Sequence, residues 1–377
     1  MLRPATTDEL CEAISAATAP LMLRGGGSKD AIGAPSPDAT RIDMRGFTGV
    51  VDYDPPELVL TVRAGTPLVD VQALVAGEGQ MLAFDPFDHA ALLGGTPGQA
   101  TIGGVIAAGV SGPSRLSRGA ARDHLLGFEG VSGRSERFIA GAKVVKNVTG
   151  YDLPKLVTGS WGRLVAMTEL TLKVLPAPRE QRTLVLRGLD PAAAVVALAR
   201  ALGSAAEVSA AAHLPNWNGD ALTAIRLDGF PSSIDARAET LVRLLGGLDT
   251  LDGPDGAALW EAVRHASPLP SDKPLWRIIV PAKEAATVVR TLGDADWLFD
   301  WAGGLIWLAS ATDSQAIRAA ASKVGGHATL IRADAAMRAT VPTLHPQAAP
   351  LAALETRVRR AFDPNGVFET GRFGGHS

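Results

Sequence analysis

The residues with the clearest chemical use are glycines. Arg24-Gly25-Gly26-Gly27-Ser28-Lys29 sets three of them in a row. Without side chains in the way, their backbone N–H groups can converge on one anion, the arrangement a pyrophosphate needs. Ser28 adds a hydroxyl donor. No G-x-G-x-x-G opens a helix here, so this is not a Rossmann fingerprint, and a glycine-rich surface turn would use the same residues. A second stretch, residues 94–109, follows Asp85-Pro86 and carries Gly98, Thr101, Ile102, Gly103, Gly104 and Ala108. It is small and uncharged, which suits either a backbone lying against a flat, extended ligand or a tight helix–strand crossing. A third, residues 143–162, gathers Lys146, Asn147, Thr149, Gly150, Tyr151 and Asp152. These are donors and acceptors of the kind a buried redox ring needs at its polar edge, although a solvated loop leading into a short helix would read the same. A fourth, Asp363-Pro364-Asn365-Gly366-Val367-Phe368, is by itself a turn.

Other chemistries are thin. Cys11 is the only cysteine, which excludes a disulfide framework and a thiolate cluster. None of the seven histidines follows a glutamate, and no two stand at a recognisable ligand spacing, so no metal site is expected. Tyr151 is the one internal candidate for a proton acceptor, and Arg277, between Trp276 and Ile278, is a candidate partner for a substrate carboxylate. An ion-paired strand arginine is the plainer reading of Arg277. A net charge of −3 points away from nucleic acid and anionic membrane as partners. The first residues lack an apolar signal core, and no run approaches the ~20 apolar residues of a membrane span, so a cytoplasmic protein is expected. Docking at the periphery of the inner membrane, through a complex, is compatible with this.

Elements must hold these segments. Thr6 and Glu9 have capping-box spacing ahead of Leu10 and Ile14, which predicts a helix. Residues 21–23 read as a buried strand stopping at the first glycine loop, and 57–63 as a strand with Leu58, Leu60 and Val62 on one face. Thr66-Pro67 predicts a helix with Thr66 as N-cap and Pro67 as its first residue, ending at Gly77 or Gly79. Residues 125–139 read as a hairpin around Ser132-Gly133, and 164–174 as a further strand. Pro176-Ala177-Pro178 is the best boundary. Beyond it, strands at 183–186, 222–227, 276–280, 305–309 and 328–331 alternate with helices at 191–202, 235–245, 282–292 and 314–324. That pattern suits an antiparallel sheet with helices on one face, with βαβ pairing as the alternative. A last helix runs over about 349–362.

In order, Arg-Gly-Gly-Gly-Ser from 24, Ala-Thr-Ile-Gly-Gly from 100, Lys-Asn-Val-Thr-Gly-Tyr-Asp-Leu from 146 with Gly-Ser-x-Gly from 159, and Asp-Pro-Asn-Gly-x-Phe from 363 carry a resemblance. The chain resembles the flavoproteins named after vanillyl-alcohol oxidase and p-cresol methylhydroxylase (PCMH), and within them the FAD-binding subunits of bacterial glycolate oxidases. The resemblance covers about 1–175 and implies an α+β fold. A two-subdomain PCMH-type FAD-binding domain at 1–175 would precede a cap domain of antiparallel sheet plus helices at 179–345. The segment 346–377 would return to the flavin domain.

It also implies FAD as cofactor, with Arg24, Gly25, Gly26, Gly27, Ser28 and Lys29 around the pyrophosphate. Asp85, Pro86, Gly98, Thr101, Ile102, Gly103, Gly104, Ala108 and Gly112 would follow the pyrophosphate and ribityl chain, and the residues of 146–152 would lie near the inner face. Relatives that bind flavin covalently carry a histidine in the first loop; Ser28 and Lys29 stand there in this chain, so non-covalent FAD is expected. Metal-dependent hydroxyacid dehydrogenases of the family carry a histidine pair and a Glu-His dipeptide that this sequence lacks. The expectation is an accessory or electron-relaying FAD subunit of a heteromeric glycolate oxidase. Its partners would be a paralogous flavoprotein catalytic subunit acting on glycolate and an iron–sulfur subunit. A self-sufficient FAD-dependent dehydrogenase of a small hydroxy acid and a non-catalytic scaffold subunit are the alternatives.

Overall fold

A computed structural model describes residues 1–142, 150–251 and 253–374. Lys146, Asn147 and Thr149 lie outside the described residues. The chain divides into two units: Met1–Ser111 with Gly119–Ala177 and Pro346–Ser377, and Gly112–Arg118 with Pro178–His345.

In the first unit, Thr6 caps the helix Thr7–Ser15 by accepting from the Glu9 amide at 3.2 Å, while the Glu9 carboxylate accepts from the Ala5 amide at 2.7 Å. Leu10 and Ile14 turn this helix into the core beside Ile42, Val131 and Phe368. An antiparallel sheet runs in the order Val50–Asp54, Val59–Arg63, Val165–Lys173, Leu125–Ser132, Arg137–Gly141. Its central strand buries both faces, so Val165 and Met167 are buried as well as Leu170 and Leu172. Leu58 has φ +59° and stands outside the strand, which starts at Val59 and buries Leu60 and Val62. The helix expected from Thr66 begins at Leu68 with Pro67 as its N-cap. The Thr66 hydroxyl is engaged elsewhere, donating to the Arg63 carbonyl at 2.7 Å and accepting from the Gly49 amide at 2.9 Å. The parallel pair Leu21–Arg24 and Thr40–Asp43 delivers the chain into the first glycine loop.

The second unit is built on one antiparallel sheet. Its order among the described residues is Asp249–Leu251, Glu180–Arg187, Asp220–Gly229, Ala210–Trp217, Asp296–Asp300, Leu305–Ala309, Leu275–Ile279, His327–Arg332. The expected antiparallel sheet is therefore the one realised, and βαβ pairing is not. Helices Pro191–Leu202, Pro231–Leu245, Ala285–Leu292 and Ser314–Lys323 pack on one face through Leu198, Ile234, Val288 and Ile317 against Ile225, Trp276 and Ile306. Trp276 and Ile278 point to that face, so strand alternation turns Leu275, Arg277 and Ile279 to the other. The segment Gly112–Arg118 is pinned to this unit. Trp301 donates its indole N–H to the Gly112 carbonyl at 3.0 Å, Ser117 donates to the Ser209 carbonyl at 2.9 Å, and Arg118 pairs with Asp228 at 2.6 Å. Among the described residues no helix is long and apolar enough to cross a membrane.

Candidate functional site

The first glycine loop is a backbone with its donors free. Strand Leu21–Arg24 ends, and among the described residues the amides of Gly25, Gly26, Gly27 and Ser28 meet no acceptor within the fold. Gly27 has φ +85°, a conformation that L side chains rarely adopt. A Cβ on Gly26 would stand 1.5 Å from the Gln99 carbonyl oxygen, and one on Gly25 would stand 2.2 Å from the Thr101 Oγ1. The two glycine stretches, some seventy residues apart in sequence, thus touch backbone to backbone. Asp88 holds the second stretch in place, its carboxylate accepting from the amides of Ala90, Gln99 and Ala100 at 2.9, 3.1 and 3.2 Å. Arg24 braces the loop, with Nε 2.7 Å from the Asp30 carboxylate.

Lys29 supplies the charge. It is only 8% exposed, and its ammonium has no hydrogen bond or ion pair within the fold among the described residues. Burial brings its pKa down to about 8, Asp88 offsets part of the shift, and Arg372 adds to it. A buried ammonium is costly unless something pairs with it, so this one marks a place for an anion. Arg372, from the C-terminal tail, donates to the Ile32 carbonyl at 2.7 Å and to the Lys29 carbonyl, closing the loop from behind.

These residues line a cleft walled also by Met44, Ala64, Ala107, Trp161, Val165 and Met167. Thr101, Gly103, Gly104 and Ala108 line it too, whereas Ile102 is fully buried. The short helix Ile102–Ala108 spends its first donors internally: Ile102 on the Thr66 carbonyl at 3.0 Å, Gly103 on Ala64 at 2.8 Å, Gly104 on the Thr101 hydroxyl at 3.3 Å. Its glycines serve closeness, since a Cβ on Gly103 would stand 2.6 Å from the Ala64 carbonyl oxygen. Trp161, with φ +58°, donates its amide to Ala107 at 2.7 Å and packs its ring 4.8 Å from Phe373.

Other expected contacts stand outside the cleft lining. Asp85 has φ +53°, and the Pro86 carbonyl accepts from Gln72 at 3.3 Å. Gly98, with φ +82°, belongs to the turn before Gln99. Gly112 lies in the second unit. Tyr151 is 91% exposed, next to Gly150 at φ +88°. Asp152 caps Leu153–Val157, accepting from the Lys155 amide at 3.2 Å. Of the residues that wall the cleft, Met44, Ala64, Met167 and Arg372 carry no sequence signal of their own; Trp161 does, within Gly-Ser-x-Gly.

Several of the histidines are absorbed by packing. His89 stacks on Phe87 at 4.7 Å, His124 tilts against Phe84 at 5.4 Å, and His345 holds Ser322 and the Ala328 amide at 3.0 and 3.2 Å. His213 is wholly buried against Thr223, and burial lowers its pKa to about 4, with Asp190 opposing. Among the described residues no three His, Cys, Asp or Glu side chains could hold a metal ion. Arg277 lies in the second unit, its guanidinium 5.1 Å from the centroid of the Trp301 ring.

A buried unpaired ammonium, four free amides and a small-residue wall are an arrangement that can receive an anion. Residues 1–140 match the FAD binding domain family. The chain is 35% identical to the glycolate oxidase subunit GlcE of Escherichia coli, over 98% of this chain and 96% of that one. It is 28% identical to the glycolate oxidase subunit GlcD of Bacillus subtilis over 52% of this chain and 41% of that one. An alkyldihydroxyacetonephosphate synthase structure shares the fold, with a TM-score of 0.67 at 15% identity over 97% of this chain and 75% of that one. This chain is an FAD-linked oxidoreductase subunit and belongs to the glycolate oxidase subunit GlcE family.

Proposed function

We propose that this chain is the accessory FAD subunit of a heteromeric glycolate oxidase, paired with a GlcD-like catalytic flavoprotein and an iron–sulfur subunit on the cytoplasmic side of the inner membrane. The observation that carries the reading is the near full-length 35% identity to GlcE, joined to an intact anion cradle. The amides of 25–28 and the Lys29 ammonium would hold the pyrophosphate, and Thr101, Gly103, Gly104 and Ala108 would leave room along the ribityl chain. Met44, Val165 and Met167 offer an apolar wall that excludes water. When bound, FAD supplies a two-electron acceptor.

The accessory role rests on what the side chains do. Taking a hydride from a 2-hydroxy acid requires a base for the hydroxyl proton, a contribution of about 10²–10⁴-fold. His89 and His124 are packed on phenylalanines, His213 is buried and neutral, and Tyr151 faces solvent. Glycolate oxidation therefore belongs to the partner flavoprotein, and this chain relays electrons or holds a structural flavin. Ser28 and Lys29, in place of a histidine, leave the flavin non-covalent.

Three measurements test this. Native co-purification should return the chain with a second flavoprotein and an iron–sulfur protein, and anaerobic stopped-flow should show glycolate bleaching flavin in the complex but not in the isolated chain. Fast bleaching of the lone chain would make it a self-sufficient dehydrogenase. Acid precipitation should release the flavin to the supernatant; yellow protein in the pellet would mean a covalent bond.

A further inference from the structure

The last helix of the first unit has no core of its own. Ala349–Phe362 runs for 14 residues, and none of them is buried. A helix of this length is marginal in water and draws its stability from packing an apolar face. This one is fastened mainly by charge. Glu355 pairs with Arg163 at 3.0 Å, Arg359 pairs with Glu369, and the Ala361 carbonyl accepts from the Arg134 Nε at 3.2 Å. Phe362 adds a ring contact with Phe138 at 6.2 Å. Glu355, Arg359 and Phe362 follow one another at spacings of four and three, so their ties lie on one side of the helix.

Another side is open. Leu351 and Leu354 are 53% and 47% exposed, and Arg357 and Arg360 are exposed as well. Each stands three residues after the last, so the four side chains form one of the continuous ridges by which helices pack into grooves. Among the described residues neither guanidinium, of Arg357 or Arg360, has a hydrogen bond or ion pair. The helix's one acid, Glu355, is committed to Arg163 and Arg359. The ridge is thus apolar at one end and positive at the other, in a chain whose net charge is −3. Two leucines make too narrow an apolar face for a lipid surface. A second copy packed on the same ridge would gather four arginines with no free carboxylate on either helix to meet them.

We propose that the ridge of Leu351, Leu354, Arg357 and Arg360 docks into a groove of another protein, apolar where the leucines enter and lined by carboxylates where the arginines lie. The leucines act as anchors of a helix laid in a groove, and carboxylates match the guanidinium forks. Docking gives the helix the covered face that it lacks. That the other protein is a subunit of the glycolate-oxidising complex rests on the function proposed above.

The complex purified natively through a tag on this chain tests it, in the parent and in two double variants. Leu351→Glu with Leu354→Glu, and Arg357→Glu with Arg360→Glu, change exposed positions only, so the isolated variants should keep the parent's FAD content and Tm. Mass photometry on dilution should show the complex dissociating at about 10- to 100-fold higher concentration in the leucine variant. Charge reversal should weaken assembly about tenfold at low salt and less as salt rises, while lysine at both arginine positions should retain most of it. Full assembly of both variants would overturn the docking surface and leave the complex standing. A parent chain that purifies with no other subunit would overturn the proposed function and the docking surface together. Binding of the parent to phosphatidylglycerol vesicles, or its self-association, lost in either variant, would assign the ridge to a membrane or to a second copy and overturn the proposal.

Discussion

The two units differ in how their chemistry-bearing groups are encoded in the chain. In the first, four main-chain amides at 25–28 and one buried ammonium from Lys29 line the cleft on which the proposed function rests. In the second, side chains meet: Arg115 and Arg277 on the ring of Trp301, residues far apart in sequence. Backbone recognition needs residues that stay out of the way, so its mark in a sequence is a local run of glycines. Side-chain recognition needs residues that a sheet and a crossing segment bring together, and it leaves no local mark.

Gly26→Val should break the first kind of recognition most completely. Its Cβ would fall 1.5 Å from the Gln99 carbonyl oxygen, a backbone atom that cannot turn aside. Overpacking of this kind typically costs about 1–3 kcal/mol, and here the displaced loop also carries the donors, so FAD affinity should drop at least about 100-fold. Flavin per folded chain measures this. Full flavin content would show that the glycines serve packing alone.

That contrast explains what could be read in advance. The hairpin at Leu125–Ser132 and Arg137–Gly141 and the helices Pro191–Leu202 and Ala349–Phe362 follow from turn residues, capping residues and periodicity. Strand Ala210–Trp217 was not legible, because three alanines in a row favour a helix on propensity and show no alternation. Their burial on both faces inside the sheet decides otherwise. Helix Gly253–His265 begins Gly-Pro-Asp-Gly and reads as a turn until Leu259, Trp260 and Val263 find a core. The N-cap expected at Thr66 moved because its hydroxyl found closer partners in Arg63 and Gly49.

At the site the same division holds. Residues 25–29 and 101–104 are legible because the glycines announce them. Arg372 is not, since it meets Lys29 only when a tail more than three hundred residues away returns to the loop. The segment Gly112–Arg118 reads as a continuation of the flavin-domain sequence, and only the contacts of Gly112, Ser117 and Arg118 place it in the second unit.

Lys29→Met sharpens the comparison, because it removes the one side chain on which the first unit depends. Losing a charge-assisted contact to the pyrophosphate should weaken FAD about 10- to 100-fold, less than the glycine variant. The flavin-free variant should melt higher than the flavin-free parent, by roughly 2–8 °C, because a buried unpaired ammonium is replaced by an apolar chain of similar length. Lower stability of the variant would mean that the ammonium is paired in the fold. Unchanged FAD affinity would leave the amides as the whole site.

The smallest effect, and the one that isolates the charge itself, is the pH dependence of FAD binding. Burial holds the pKa of Lys29 near 8, below the ordinary lysine value of 10.5. Between those two values the unfolded chain carries a proton on this amine that the folded, flavin-free protein has lost, so flavin-free stability rises as pH rises through that window. Below pH 8 the folded protein carries the charge at a cost to its stability, and that is the state ready to receive an anion. A bound pyrophosphate favours the ammonium, so above pH 8 binding must take up a proton from solution, and affinity falls as protons become scarce. Between pH 7 and pH 9 FAD affinity should drop about tenfold, while Lys29→Met, with nothing to titrate at this position, should lose that slope. Equal slopes for the parent and Lys29→Met would assign the pH dependence to another group and remove the lysine from the cradle.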